Sequence, residues 1–241
     1  MKCRMDKEIT ILTSLCDNTA HISVPSIISL FMDLASEHAP KIGLGAEVLA
    51  EKDMFWITVR TKIAINKRPK MPETVTASTW PEAPGRIRCN RYYKLSRDSE
   101  DLVLGKTEWA IIDKNSGRPA RISDIYPDGL DHIEDDLSLG SFSKISEDIS
   151  TCEKIDSYFI RSTDIDLAQH MNNAAYIRAL FGAFSTKTLE KMEVKGLEVN
   201  FRAPCYEGES LDIYKRKTED GAEFIMLKED GKAAATVKIE Y

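Results

Sequence analysis

The sequence predicts an α+β protein made of two like halves, each with a helix set against an antiparallel sheet. Three observations predict it. First, the order strand, helix, four-stranded meander occurs twice along 241 residues. Second, apolar residues recur at helical spacing in the helix segments and alternate with polar ones in the meanders. Third, Asp17-x-x-x-His21-Ile-Ser23 returns 149 positions later as Asp166-x-x-x-His170-Met-Asn172, between the first strand and the helix both times. A repeat on this scale constrains the architecture before any single residue is interpreted.

In the first half, Glu8–Ser14 reads as a strand. A helix follows, with Ser23 as N-cap, Pro25 in its first turn, and Ile27, Phe31, Leu34 and Ala35 along one face. Phe55, Ile57, Val59, Ile63 and Ile65 then alternate with Trp56, Thr58, Arg60, Lys62 and Ala64. Glu73–Trp80, Arg86–Leu95 and Leu102–Ile112 complete the meander, with Pro-Gly, Asp-Ser-Glu-Asp and Asn-Ser-Gly as turns. In the second half, a strand at Asp156–Arg161 precedes a helix capped by Asn172 or Asn173, with Ile177, Leu180, Phe181 and Phe184 as its apolar stripe. Strands are expected at Val194–Ala203, Glu209–Lys217, Ala222–Lys228 and Ala233–Tyr241. Between the halves, residues 123–152 carry Asp124, Asp128, Asp131, Glu134, Asp135 and Asp136. So long a stretch without periodicity reads as a linker, leaving units at 1–122 and 153–241.

Composition narrows the function. Hydrophobic residues make up 42% and charged residues 30%, an ordinary globular balance. No apolar run approaches the length of a membrane span, and the N-terminus turns charged before a signal region can form, so a cytoplasmic, membrane-free protein is expected. The five cysteines form no CxxC pair and fit reduced thiols rather than a metal site or a disulfide framework. The net charge of −6 argues against a general nucleic-acid binder. Local basic clusters remain at Lys67-Arg68 with Lys70, at Arg86, Arg88 and Arg91, and at Lys215-Arg216-Lys217. They are either solvated strand ends or a docking surface for an acidic partner.

Asp166, His170, Asn172 and Asn173 crowd a strand-to-helix junction. A helix start offers unpaired N–H groups and partial positive charge, suited to an oxyanion. An imidazole beside it can act as general base toward water, and a carboxylate can orient that imidazole or polarise a carbonyl. These groups suffice to hydrolyse an ester or thioester without a metal or cofactor. Helix capping and a satisfied loop histidine would account for the same residues. The chain has no HExxH, no GxSxG and no phosphate-binding glycine loop.

Thr163-Asp-Ile-Asp-Leu-Ala-Gln-His-Met-Asn-Asn-Ala-Ala-Tyr-Ile177 resembles the D-x-N-x-H-V-N-N-x-x-Y signature of acyl-[acyl-carrier-protein] thioesterases of the plant and bacterial type. Trp56–Ile63, Lys67-Arg-Pro69, Trp80, Gly85-Arg86-Ile87, Trp109 and Asp113–Pro119 look like the first half of that family, so the resemblance covers most of the chain. It implies a tandem double hot-dog fold, two antiparallel sheets each wrapping a long helix. It further implies hydrolysis of the thioester between a fatty acyl chain and the phosphopantetheine arm of acyl carrier protein. The first half would form the acyl pocket and the second would carry catalysis. Asp166 and His170 fall on the family's catalytic Asp and His, and Asn172 and Asn173 on its paired asparagines.

Two departures stand out. The family's catalytic Asn is Ala168 here. Its Glu-Cys pair falls on Arg202-Ala203 without a gap, or on Cys205-Tyr206 when anchored on the turn at Gly208. The turn-anchored match is preferred and makes Cys205 a candidate third catalytic residue, with a buried structural Cys as the other reading; Glu207 is a weaker candidate. His21 reads as a structural loop histidine or a vestigial second site, and Trp56 and Trp80 as core or pocket wall. An acyl-CoA thioesterase using the same residues, a non-catalytic acyl-binding protein and a dehydratase are the competing functions. A monomer or a homodimer is compatible with a fused pair.

Overall fold

The computed structural model describes residues 3–241. The first half contains β1 (Met5–Thr10), α1 (Val24–Lys41), α2 (Ala46–Ala50), β2 (Met54–Ile65), β3 (Thr74–Pro81), β4 (Cys89–Arg97) and β5 (Glu100–Asp113). The second contains β6 (Glu153–Phe159), α3 (Asn173–Gly182), α4 (Thr186–Lys191), β7 (Gly196–Phe201), β8 (Ser210–Thr218), β9 (Gly221–Lys228) and β10 (Ala233–Glu240). The short helices α2 and α4 carry too few turns to leave a periodic signal and escape the sequence reading. The first strand lies earlier than expected because Thr13–Leu15 winds into a 3-10 turn. β4 starts at Cys89 rather than Arg86 because Gly85 and Arg88 close a turn, with the Gly85 N–H on the Arg88 carbonyl at 3.0 Å.

All ten strands form one antiparallel sheet in the order β1-β3-β4-β5-β2-β7-β10-β9-β8-β6. This corrects the expectation of two sheets. β2 and β7 join the halves through a register running from Arg60↔Asn200 to Ala64↔Gly196. An exposed β2 edge would leave a row of unpaired N–H and C=O groups, and the equivalent edge of the other half satisfies them. From this seam outward, both halves follow the same strand order.

Helix formation in α1 starts where Ser23 accepts the Ser26 N–H at 3.1 Å, with Pro25 in the first turn, where no intrahelical N–H is needed. Its buried face carries Ile27, Ile28, Phe31, Leu34 and Ala35. Phe31 stacks on Tyr93 at 4.7 Å between ring centres, above Gly105, where an added Cβ would stand 2.3 Å from the ring. The second helix is not long: α3 has 10 residues against 18 in α1. The chain leaves it at Ala183 and restarts as α4, capped by Ser185. Residues of both helices and both half-sheets share one buried cluster, including Ile27, Phe31, Ile177 and Leu180.

Residues 123–152 cross the sheet face opposite the helices. The Trp80 indole N–H donates to the Asp135 carbonyl at 3.2 Å, Lys62 reaches the Ser141 carbonyl at 3.0 Å, and Lys106 that of Gly140. Phe142 lies under the Arg60 guanidinium at 4.4 Å and the Lys106 ammonium at 4.8 Å. Farther on, the Ser143 N–H donates to Glu198 at 2.6 Å. Trp80, expected in the core or a pocket wall, is wholly buried on this linker side. No helix among the described residues is long and apolar enough to cross a membrane.

Candidate active site

The loop from Asp166 to His170 is a closed turn. The Asp166 N–H donates to the His170 carbonyl at 2.9 Å and the Gln169 N–H to the Asp166 carbonyl at 3.0 Å. The Asp166 carboxylate accepts the Ala168 N–H at 2.8 Å, and Gln169 takes a left-handed φ of 63°. Both ends are anchored: the Asn172 N–H on Asp164 and the Met171 N–H on Cys205, each at 2.8 Å. α3 begins immediately afterwards. Asn172 caps it by accepting the Ala174 N–H at 2.9 Å, and its carbonyl takes the Ala175 N–H at 2.8 Å. The Asn173 N–H is left without an acceptor among the described residues.

The first half contains the same loop. The Asp17 N–H donates to the His21 carbonyl at 2.9 Å, the Ala20 N–H to the Asp17 carbonyl at 3.1 Å, and Ala20 has φ 60°. What differs is the side chain at the third position. Thr19 donates its hydroxyl to Asp17 at 2.6 Å and lies 3.0 Å from His21 Nδ1. Arg68 closes on Asp17 in an ion pair. These bonds to Thr19 hold the Asp17 carboxyl below the usual range against the opposing effect of burial, with Arg68 adding to them. The equivalent of Thr19 in the second half is Ala168. No loop side chain there ties up His170, whose ring instead lies against Tyr206 at 5.1 Å. Leu167, at the tip, is fully exposed.

Asp166 and Asn172 face a cavity of about 260 Å³ bounded by Ser29, Met32 and Asp33 of α1 and by Arg178 of α3. Burial raises the carboxyl pKa of Asp33. The internal symmetry repeats this cavity beside Asp17, where Phe181 and Gly182 stand in for Met32 and Asp33. The Asn173 side chain reaches across to the first half and donates to Thr58 Oγ1 at 2.9 Å, with Met32 Sδ at 4.0 Å. Beyond Thr58 on β2 and Met32 on α1 opens a second cavity of about 230 Å³, walled by Ala35 and Ala39 and by Trp56, Trp109 and Leu44.

The structure thus brings Asp166, His170, Asn172 and Asn173 to one junction. Asp166 and His170 meet through their backbones, not through a side-chain hydrogen bond. Cys205 is different: it is wholly buried, its thiol lies 3.8 Å from the Ala203 carbonyl, and burial raises its pKa. It meets the loop through its carbonyl alone. Arg202, the gapless alternative, pairs with Glu147. Glu207 lies in a shallow cleft with Phe159. Sequence reasoning missed Thr58, Met32 and Tyr206 as neighbours of the motif. Only Tyr206 had a signal, in the turn-anchored match. The basic clusters are largely engaged: Arg68 with Asp17, Arg88 with Glu108, Arg216 with Glu223, and Arg91 is buried.

One antiparallel sheet of two like halves, each with a helix on the same face and a helix-start loop at the seam, matches the hot-dog architecture of thioesterases. Residues 3–130 match the acyl-ACP thioesterase N-terminal domain, and residues 148–241 the acyl-ACP thioesterase C-terminal domain. The chain belongs to the acyl-ACP thioesterase family. Among curated relatives, a chloroplastic acyl-[acyl-carrier-protein] hydrolase of Cuphea viscosissima is 25% identical over 206 residues, covering 78% of this chain and 48% of that protein. A chloroplastic oleoyl-acyl carrier protein thioesterase of Coriandrum sativum is 24% identical over 237 residues, covering 90% and 64%. The chain therefore spans about half to just under two thirds of the length of these relatives. The fold matches an acyl-ACP thioesterase from Bacteroides thetaiotaomicron with a TM-score of 0.83 at 19% identity, over 98% of this chain and 97% of the other. It also matches a 12:0-ACP thioesterase from Umbellularia californica with a TM-score of 0.82 at 17% identity, over 99% and 96%.

Proposed function

We propose that this protein hydrolyses the thioester of a fatty acyl chain on acyl carrier protein and releases the free acid. The observation that carries the reading is the contrast between the two loops. The Asp17–Thr19–His21 loop is closed on itself and on Arg68, whereas Ala168 leaves His170 open beside the start of α3. His170 takes a proton from water as the water oxygen attacks the thioester carbonyl. The unpaired Asn173 N–H, at the positive end of the helix, stabilises the oxyanion. The C–S bond then breaks and the phosphopantetheine sulfur leaves as a thiol, taking the proton from His170. Asp166, on the cavity wall, polarises the bound carbonyl region and fixes the turn that presents His170. Asn172 builds the helix start. Cys205 is assigned a positioning role, because its buried thiol is held in the neutral form and only its carbonyl reaches the loop.

The acyl chain runs past Thr58 and Met32 into the cavity of the first half. This division assigns the acyl pocket to 1–122 and catalysis to 153–241, with 123–152 as the connection. A cytoplasmic setting belongs to the same proposal and is supported by five cysteines that all stand as free thiols. Surface arginines and lysines left outside ion pairs, such as Arg86, are the docking candidates for acidic carrier protein. The test is acid release from carrier-protein thioesters of several chain lengths, with the CoA thioester of one chain as control. His170→Ala should lower kcat by about a hundredfold or more while leaving acyl binding intact. If the wild-type chain binds these thioesters and releases no acid from any, the protein is an acyl binder and the proposal fails.

A further inference from the structure

The cavity of the first half contains a charge that a plain hydrocarbon chain would not want. Arg91 on β4 is 6% exposed and lines that cavity. Its Nη1 donates to His38 Nδ1 at 3.0 Å and to Thr79 Oγ1 at 3.3 Å. No carboxylate among the described residues bonds it. Glu82 is engaged with Asn90 and Tyr92 and Glu108 with Arg60 and Arg88, while Glu47, which also lines the cavity, makes no ion pair with Arg91. A guanidinium has five N–H donors, and here Nε and Nη2 have no protein acceptor among the described residues. His38, 2% exposed, is the α1 side chain that hydrogen-bonds Arg91. Burial pushes its pKa down to about 4, with Arg91 and Lys41 adding to the effect, so it accepts from Arg91 as a neutral ring.

The position of Arg91 relates it to the reacting end. Thr58, which holds Asn173, pairs with Trp109, and Trp109 pairs with Cys89. Arg91 is two residues along β4 on the same face. Two strand spacings and two residues along the strand therefore separate it from Thr58, roughly 12 Å. An acyl chain entering from the junction meets apolar wall first, at Trp56 and Trp109, and the open guanidinium at the far side.

We propose that Arg91, oriented by His38, makes this cavity selective for acyl chains that carry an acceptor oxygen, a carboxylate or a hydroxyl, toward their far end, over plain alkyl chains. The inference rests on the thioesterase reading and names its substrate class. A methyl-ended chain that fills the cavity strips water from an unpaired cation. An acceptor oxygen replaces that water with a charge-assisted hydrogen bond, and a carboxylate does so on both free donors.

The test uses the full chain and one medium-length acyl group on acyl carrier protein, ending in methyl, hydroxyl or carboxylate. Binding of the matched free acids is measured by calorimetry alongside hydrolysis. For the wild type, kcat/KM for the oxygen-ended chains should exceed that for the methyl-ended chain by about tenfold or more. Arg91→Met should invert the order, and Arg91→Lys should keep a reduced preference for the carboxylate. A wild-type preference for the methyl-ended chain overturns the proposal whatever the variants do. So does an unchanged ratio in a folded Arg91→Met protein. If no thioester is cleaved, the thioesterase reading fails, and the calorimetric order of the three acids still decides the role of Arg91.

Discussion

At the scale of single residues, the chain uses one loop geometry twice and separates the copies by one side chain. Thr19 ties Asp17 to His21; Ala168 ties nothing. The signature that this loop resembles carries an amide at the same position, so Ala168→Asn should supply a water-holding group beside His170. We expect kcat to rise several-fold with little change in KM, measured on the preferred carrier-protein thioester; a fall in kcat would show that the open loop is the active form. His38 sets a second expectation. Its folded pKa is about 4 against 6.5 for the free side chain. The unfolded chain therefore binds the extra proton first, and stability falls as pH drops through that window, with the contribution intact above it. At about 1.4 kcal/mol per pKa unit the loss amounts to roughly 3 kcal/mol by the lower end. Urea midpoints of wild type and His38→Gln, followed from neutral pH down to that limit, should diverge in slope only there.

At the scale of elements, the helix α1 sits close to the sheet because Gly105 has no side chain. Phe31 occupies that space and stacks on Tyr93. Gly105→Ala pushes a methyl group into the ring, and a packed core cannot absorb it without moving the helix. A loss of about 1–3 kcal/mol is expected from equilibrium denaturation. A neutral result would mean that α1 can shift freely over the sheet. α3 is shorter, and its N-terminus rather than its length matters. Asn172 and the backbone consume every early amide except that of Asn173, whose side chain then reaches Thr58 across the seam.

At the scale of the molecule, the ten strands and the shared core couple the halves. The seam between β2 and β7 lies in the middle of the sheet, and the linker binds the outer face of both halves through Trp80, Phe142 and Glu198. We expect one cooperative unfolding transition, with calorimetric and van't Hoff enthalpies in agreement. Two resolved transitions would show that the halves are thermodynamically separate in spite of the continuous sheet. The coupling has a functional side. The proposed catalytic residues come from the second half, while Thr58, Met32 and the proposed acyl cavity come from the first, so neither half contains the whole proposed site.

Much of this was written locally. The period-two alternation of β10, the Ser23 cap before Pro25, and the repeat of Asp, His and cap residue each depend on neighbours a few positions apart. They were legible because side-chain direction along a strand or helix follows from spacing alone. The clustering of Asp166, His170 and the asparagines is legible for the same reason. In β2, by contrast, a bulge between Thr58 and Arg60 breaks the expected alternation and puts Trp56 and Thr58 on the face opposite Arg60 and Lys62. Other features depend on residues far apart in the chain, and only the tertiary structure decided them. β2 pairs with β7 because two bare edges meet. Asn173 finds Thr58 and His170 finds Tyr206 because the seam brings them together. Cys205, in the loop after β7, has its thiol buried because its carbonyl is fixed on the Met171 N–H and the loop packs on the core. Arg91, one of a run of basic residues in the sequence, is buried against His38 because β4 faces α1 at that position. Spacing along a chain fixes which face a residue takes, and packing between elements fixes what that face meets.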